Sequence, residues 1–152
     1  MGYQVALESA GAEVVEYIES GDYQGTWLAL VHYKGKMGWV HGEYGSCSGC
    51  DAFAAEFDDI SHHHDDEYIY LYNLTELYDP NCGHCVAHKE RLADFGEQYL
   101  DDIKSTKEMY EYFSKDASWD MEIAKLLKTL DRYMNMHDLI QRYNTMFKGE
   151  KQ

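Results

Sequence analysis

The chain has 152 residues, of which 45% are hydrophobic and 27% charged, and it contains a single proline, Pro80. This composition excludes collagen-like, low-complexity and wholly disordered chains, and the length suits one domain that folds without disulfides. A net charge of -15 opposes attraction to nucleic-acid phosphates and to anionic lipid, which argues against direct binding to either.

We expect a cytoplasmic protein, in a host cell if the chain is encoded by a phage. No apolar run approaches the ~18 residues of a membrane span. The start Met1-Gly2-Tyr3-Gln4 also lacks the basic, apolar and small-residue order of a signal peptide.

The acidity is concentrated in the first part of the chain. Residues 1–88 hold 15 acidic residues and two basic ones, Lys34 and Lys36, for a net charge of -13. Residues 89–152 have a net charge of -2. Between residues 37 and 88 there are ten acidic residues, six histidines and no lysine or arginine.

The first elements in chain order are predicted to be a helix and a β-hairpin. Apolar residues near one face predict a helix over 4–20, which Gly21-Asp22 would end. Two β-prone runs, 26–33 and 37–44, flank the short turn Lys34-Gly35-Lys36 and predict a hairpin.

The middle of the chain is less regular. Residues 45–51 have the glycine and serine content of a tight knuckle, and Asp51 is a candidate cap for a helix over 52–57. Residues 58–66 are polar and predict a loop. Residues 68–72 alternate like a strand, but the pattern continuing to Leu77 also fits a helix, which we favour.

The last third is predicted to be helical. A helix is expected over 86–103, and Ser105 with Glu108 matches a capping box for the next one. A further helix is expected from about 118 to 147. The prediction is one α+β domain over 1–152, with a small hairpin and a zinc knuckle surrounded by a mainly helical C-terminal half.

All four cysteines occur in two Cys-x-x-Cys pairs, Cys47 with Cys50 and Cys82 with Cys85, separated by 31 residues. Zinc prefers four tetrahedral ligands, and a two-residue spacer lets one turn present two sulfurs to one ion. The sequence therefore predicts a structural zinc site made by these four thiolates. Such a site leaves no open position for water and would hold structure without catalysing a reaction.

An alternative is thiol-disulfide exchange at Cys82-Gly83-His84-Cys85, a tetrapeptide identical to the active-site motif of disulfide isomerases. The resemblance implies Cys82 as the attacking thiolate and Cys85 as the resolving thiol, with a following helix lowering the first pKa. The pattern departs from that family because Asn81 stands where the family has tryptophan, and Pro80 is the only proline. A third interpretation is four reduced, buried cysteines without metal.

The segment Gly45-Ser46-Cys47-Ser48-Gly49-Cys50-Asp51 follows a Trp-Val-x-Gly-x-Tyr run. It resembles a segment of small uncharacterised proteins of phage and bacterial genomes. The resemblance covers about a quarter of the chain, implies no activity, and suggests a phage origin.

The histidines provide further candidate ligands. His62-His63-His64 followed by Asp65-Asp66 could hold a second ion, although consecutive residues cannot all face one metal without an irregular loop. A solvated polar loop is the alternative. His84 and His88 flank the second cysteine pair, and we expect them to pack or to orient a ligand.

The acidic residues suggest a partner. Carboxylates on a rigid surface can imitate duplex phosphates and attract a basic groove, although an acidic face that only aids solubility is an equal alternative. The fourteen tyrosines suit either core edges or an interface. The candidate partner-binding residues are Asp58, Asp59, Asp65, Asp66, Glu67, Glu76 and Asp79.

The sequence thus predicts a non-enzymatic, acidic, zinc-stabilised binding protein whose partner is a basic protein surface. Combined with a phage origin, this suggests an inhibitor that blocks the nucleic-acid groove of a host enzyme.

Overall fold

The computed structural model of the chain describes residues 2–46, 51–57, 61–64, 67–70, 79–115 and 121–150. The chain divides into two compact units, Met1–Ile103 and Lys104–Gln152, called here the N-terminal and C-terminal units. The prediction of one domain over 1–152 stays a prediction.

The N-terminal unit begins with a short helix and a strand where a single helix over 4–20 was predicted. Helix α1 spans Gly2–Ser9 and strand β1 spans Glu13–Gly21. The prediction was wrong beyond Ser9 because Gly11 adopts a φ of +99°, which ends the helix. The β-branched and aromatic residues that follow then pair with the next strand.

Three antiparallel strands form the main sheet in the order β1-β2-β3, with β2 spanning Gly25–Tyr33 and β3 spanning Lys36–Tyr44. The predicted hairpin is confirmed. Its turn residues Lys34 and Gly35 both have positive φ, 48° and 78°, as a two-residue hairpin loop requires.

The core of the N-terminal unit lies between this sheet and the helices. Trp27 is fully buried and faces Gly42 across the β2-β3 pair, where a side chain at position 42 would collide with the indole ring. Leu28 and Trp39 are also fully buried on the opposite face, so both faces of the sheet are covered.

A second, two-stranded antiparallel sheet corrects two predictions. Strand β4 spans Ser61–His64 and strand β5 spans Glu67–Tyr70. The predicted loop over 58–66 was therefore wrong at 61–64, and the favoured helix over 68–77 was wrong at 68–70, while its remainder lies outside the described residues. The alternation Tyr68-Ile69-Tyr70 is the period of a strand, and a partner strand decides such a short run in favour of sheet.

The remaining helices of the N-terminal unit agree with the sequence. Helix α2 spans Ala52–Phe57, and the Asp51 carboxylate accepts a hydrogen bond from the Ala54 amide at 3.1 Å, which confirms the predicted cap. Helix α3 spans Gly83–Leu100 and packs on α1. The two helices approach closely at Gly96, where a Cβ atom would meet the backbone of Ala6.

The C-terminal unit contains two helices, α4 over Thr106–Ser114 and α5 over Met121–Glu150, which pack together. The predicted capping box is confirmed, since Ser105 accepts from the Glu108 amide and Glu108 accepts from the Ser105 amide. Both helices contribute buried side chains, Met109, Phe113, Leu126 and Leu130.

The architecture is α+β, as predicted in its coarse form. The proposed knuckle residues Cys47 and Cys50 lie outside the described residues, so the zinc knuckle stays a prediction. Within the described part of the chain, every helix is too short or too polar to cross a membrane.

Candidate functional site

Cys82 and Cys85 lie at the start of helix α3. Cys82 is the N-cap residue with extended backbone angles, and its carbonyl accepts from the Val86 amide at 3.1 Å. The Cys82 amide donates to the Asp79 carbonyl at 3.0 Å, and the Asn81 amide donates to the Asp79 carboxylate at 2.9 Å. A tight turn at Asp79 therefore brings the chain into the helix directly at the first thiol.

The two thiols have opposite electrostatic surroundings. The pKa of Cys82 is lowered, chiefly because the backbone N–H of Cys85 donates to its sulfur, with help from the Cys85 thiol and the His84 amide. The pKa of Cys85 is raised, chiefly by burial, and the bond it donates to Cys82 adds to the rise. The Cys82 thiol is therefore the one of the two that ionises more readily.

Cys85 is buried in an apolar cluster with Ala6, Phe57 and Leu92, whereas Cys82 is half-buried at its edge. The outer sulfur is therefore the one available to a reagent or an ion. Two sulfurs this close can form a disulfide or supply half of a tetrahedral thiolate site.

Asp51 ties together the two ends of the segment that carries the other cysteine pair. One carboxylate oxygen accepts from the Gly45 amide at 2.9 Å, and the other accepts from the Tyr3 hydroxyl at 2.8 Å. These hydrogen bonds hold the pKa of Asp51 low against the opposing effect of burial. The described ends of segment 45–51 are thus fixed to α1 and α2.

The structure brings together two of the four predicted zinc ligands, Cys82 and Cys85. Cys47 and Cys50 lie outside the described residues. Within the residues that the structure describes, no group of three or more histidine, cysteine, aspartate and glutamate side chains could hold a metal. His84 is exposed and His88 half-buried on the first turns of α3.

Two of the seven predicted partner-binding residues lie in the described part of the chain. Of the candidate partner-binding residues, Asp79 forms the turn before Cys82, and Glu67 begins strand β5. His62, His63 and His64 belong to strand β4. The other candidates lie outside the described residues: Asp58, Asp59, Asp65, Asp66 and Glu76.

Sequence reasoning missed an acidic ridge along helix α3, formed by Glu90, Asp94 and Glu97 and continued by Asp101, the C-cap residue; all four are exposed. Their spacing of four, three and four residues puts them within roughly 60° of one another around the helix axis. At 1.5 Å per residue the ridge is about 16 Å long. No basic residue occurs between 92 and 103, a signal that the sequence offered.

A hollow of about 400 Å³ elsewhere on the N-terminal unit is also acidic. It is lined by Gln4, Val5, Glu8, Tyr17 and Glu19. The Tyr17 hydroxyl donates to the Glu19 carboxylate at 2.9 Å, and burial followed by the Glu19 charge raises the pKa of Tyr17 far above its usual value.

The net charge differs strongly between the N-terminal and C-terminal units. The N-terminal unit contains 20 acidic and 4 basic residues, for a net charge of -16. The C-terminal unit contains 8 acidic and 9 basic residues, for a net charge of +1. The excess acidity of the protein therefore belongs entirely to one compact unit.

No family model, curated protein or solved structure matches the chain.

Proposed function

We propose that the protein is a non-enzymatic acidic binding protein whose N-terminal unit occupies a basic protein surface. The observation that carries the proposal is the net charge of -16 in that unit, with four carboxylates aligned on the exposed face of α3. A basic groove that binds nucleic acid is the surface best matched to this arrangement.

The acidic ridge has the properties that phosphate mimicry needs. Successive carboxylates are separated by rises of about 6, 4.5 and 6 Å along α3, a regular row of negative charge. Carboxylates accept hydrogen bonds without donating them, as phosphate oxygens do. Gly96 lets α3 pack directly on α1, which holds this row on a rigid element.

We further propose that one zinc ion, bound by Cys47, Cys50, Cys82 and Cys85, stabilises the N-terminal unit. The convergence of the second pair and the fixed ends of segment 45–51 support this proposal. The resemblance of that segment to proteins of phage genomes supports a nucleic-acid enzyme of the host as the partner, which the protein would block.

The binding proposal is tested with a fraction of bacterial DNA-binding proteins prepared on duplex-DNA resin. The fraction is passed over the immobilised full chain at physiological salt, and duplex DNA is used to elute it. We expect the native chain to retain specific proteins. A triple variant of the ridge, Glu90→Gln with Asp94→Asn and Glu97→Gln, should reduce this retention about tenfold, because rim charges control encounter and orientation.

The matched control neutralises three exposed acids of the C-terminal unit, Glu111→Gln, Glu122→Gln and Asp131→Asn. It changes the net charge by the same amount and should leave retention unchanged. The proposal would be contradicted if both variants lost retention equally. It would also be contradicted if duplex DNA eluted no retained protein from the native chain.

Thiol-disulfide exchange is a second candidate, favoured by the half-buried Cys82 at the start of α3 and the buried Cys85 behind it. The Cys82 thiolate would attack one sulfur of a substrate disulfide, forming a mixed disulfide and releasing one substrate thiolate. The Cys85 thiol would then attack the Cys82 sulfur, and its proton would pass to the departing substrate sulfur, which leaves as a thiol. The substrate disulfide gains two electrons, and the protein dithiol becomes the Cys82–Cys85 disulfide.

Two serine substitutions distinguish a structural zinc site from a redox site. If the four cysteines bind a structural zinc ion, Cys47→Ser and Cys82→Ser should both abolish stoichiometric metal binding and lower the stability of the protein. With a redox site, Cys47→Ser should keep the rate of reduction of oxidised glutathione and Cys82→Ser should remove it. The structural zinc site would be supported if the native chain contained one zinc ion and a chelator released it together with four free thiols.

A further inference from the structure

The second half of helix α5 carries an exposed apolar stripe, which we define as Met136, Leu139, Tyr143 and Met146, with Ile140 beside it. Leu139 is 65% exposed and Met146 is 64% exposed. These side chains border an open hollow of about 510 Å³. Large apolar side chains contiguous along one face mark an interaction site more often than isolated ones do.

This stripe is separate from the face that α5 uses inside its own unit. In the first half of α5 the buried or half-buried apolar residues include Ile123, Leu126 and Leu130. At 100° per residue, the centre of the stripe lies roughly 150° around the helix axis from the centre of that buried face. The apolar pattern thus changes sides within one helix, which packing against α4 does not require.

We propose that the occupant of the stripe is the same stripe of a second copy of the chain, in antiparallel orientation. The spacing of three, four and three residues is the seam of a two-stranded helix pair. With the two-fold axis passing at position 141, Met136 of one copy faces Met146 of the other, and Leu139 faces Tyr143. Each of these two contacts then occurs twice, once on either side of the two-fold axis, as an isologous interface requires.

Charge at the two ends of the seam selects this orientation. Arg132 and Glu150 continue the spacing of the stripe by four residues at either end. In the antiparallel pair, position 132 of one copy lies opposite position 150 of the other, so the sequence puts an arginine position opposite a glutamate position at both ends. A parallel pair would place arginine against arginine and glutamate against glutamate.

The local charge also permits two copies to approach. Residues 131–150 contain three acidic and three basic residues, in a protein whose net charge is -15. The apposed helices would be about 28 Å long. Roughly 100 Å² of exposed surface for each of the four stripe residues and for Ile140 gives about 1,000 Å² for both copies, the lower limit of a specific interface. We therefore expect a weak dimer with a micromolar dissociation constant.

Sedimentation equilibrium of the full chain, from micromolar to millimolar concentration, tests the association. We expect Leu139→Glu to raise the dimer dissociation constant at least about tenfold. Gln141→Glu adds the same charge on the opposite side of α5 and should change it less than about twofold. A native chain that stays monomeric, or equal effects of the two variants, would overturn the proposal.

A charge exchange tests the orientation. Arg132→Glu and Glu150→Arg should each weaken the dimer, and the double variant should restore the native dissociation constant within about threefold. A double variant that dimerises no better than the single variants would overturn the antiparallel pairing. A detergent or lipid vesicle that binds the native chain while the chain remains monomeric would assign the stripe to a membrane and also overturn the proposal.

Discussion

The two units of this protein have surfaces of opposite character. The N-terminal unit has a net charge of -16 and exposes aligned carboxylates, whereas the C-terminal unit has a net charge of +1 and exposes an apolar stripe. Charge attracts over a distance and weakens with salt, but an apolar surface acts on contact. One chain thereby separates a surface suited to rapid encounter from one suited to self-association.

The largest effects are expected from truncating the core of each unit. Trp27→Ala should lower the stability of the N-terminal unit by about 3–5 kcal/mol, and Leu130→Ala that of the C-terminal unit by about 2–5 kcal/mol, because both side chains are fully buried. Denaturant unfolding followed by near-ultraviolet and far-ultraviolet circular dichroism measures both.

If the units are independent, each substitution shifts one transition and leaves the other in place. A single transition that both variants shift equally would show that the comparison describes two regions of one cooperative domain.

Salt should separate the two surfaces. Raising it from low to physiological concentration should weaken retention of a basic partner on the acidic ridge about tenfold or more. Self-association through the stripe should change less than about threefold, since its main contribution is apolar. Binding and sedimentation measured in the same buffers test this, and parallel salt dependence would refute the contrast.

Alkaline pH should destabilise the N-terminal unit. Burial raises the pKa of Tyr17 and of Tyr99, and the charges of Glu19 and Asp51 raise them further. Because these values lie above that of an unfolded tyrosine, their stabilisation is complete below about pH 10 and is lost as the pH rises further. Tyrosinate absorbance and circular dichroism should show late ionisation together with unfolding.

Tyr17→Phe should make this loss of stability less steep, since it removes one such group. Tyr23→Phe is the control because Tyr23 is 83% exposed. Identical alkaline profiles of the two variants would contradict the role of Tyr17.

The smallest effect concerns the cap of α4. Ser105→Ala removes the hydrogen bond that the Glu108 amide donates at 3.1 Å and should cost about 1 kcal/mol. Ser114→Ala, at the exposed other end of α4, should cost less than about 0.5 kcal/mol. Thermal unfolding of the C-terminal unit distinguishes the two, and equal shifts would argue against the cap.

Local signals in the sequence predicted several elements. Lys34-Gly35 specified the hairpin, and Ser105 with Glu108 specified the start of α4. Gly11 was the overlooked signal in the first region, where the amphipathic spacing of a helix continued into residues that form an edge strand. Short runs such as 67–70 depend on a partner strand that periodicity does not contain.

The candidate site was predictable to a similar extent. The spacing of Cys82 and Cys85 indicated a thiol pair at the start of a helix, and the structure places it there. The opposite pKa shifts of the two thiols depend on tertiary burial of Cys85, which spacing does not reveal. The acidic ridge was readable from positions 90, 94, 97 and 101 once a helix was expected there.

The Asp51 carboxylate limits how far the two ends of segment 45–51 can separate. Its hydrogen bond to the Gly45 amide closes a ring of seven residues, 45–51. Ordering such a small ring costs little conformational entropy compared with ordering a free chain. Because the same carboxylate also accepts hydrogen bonds from Tyr3 in α1 and from the Ala54 amide in α2, Gly45 and Asp51 stay together for as long as these two helices are folded.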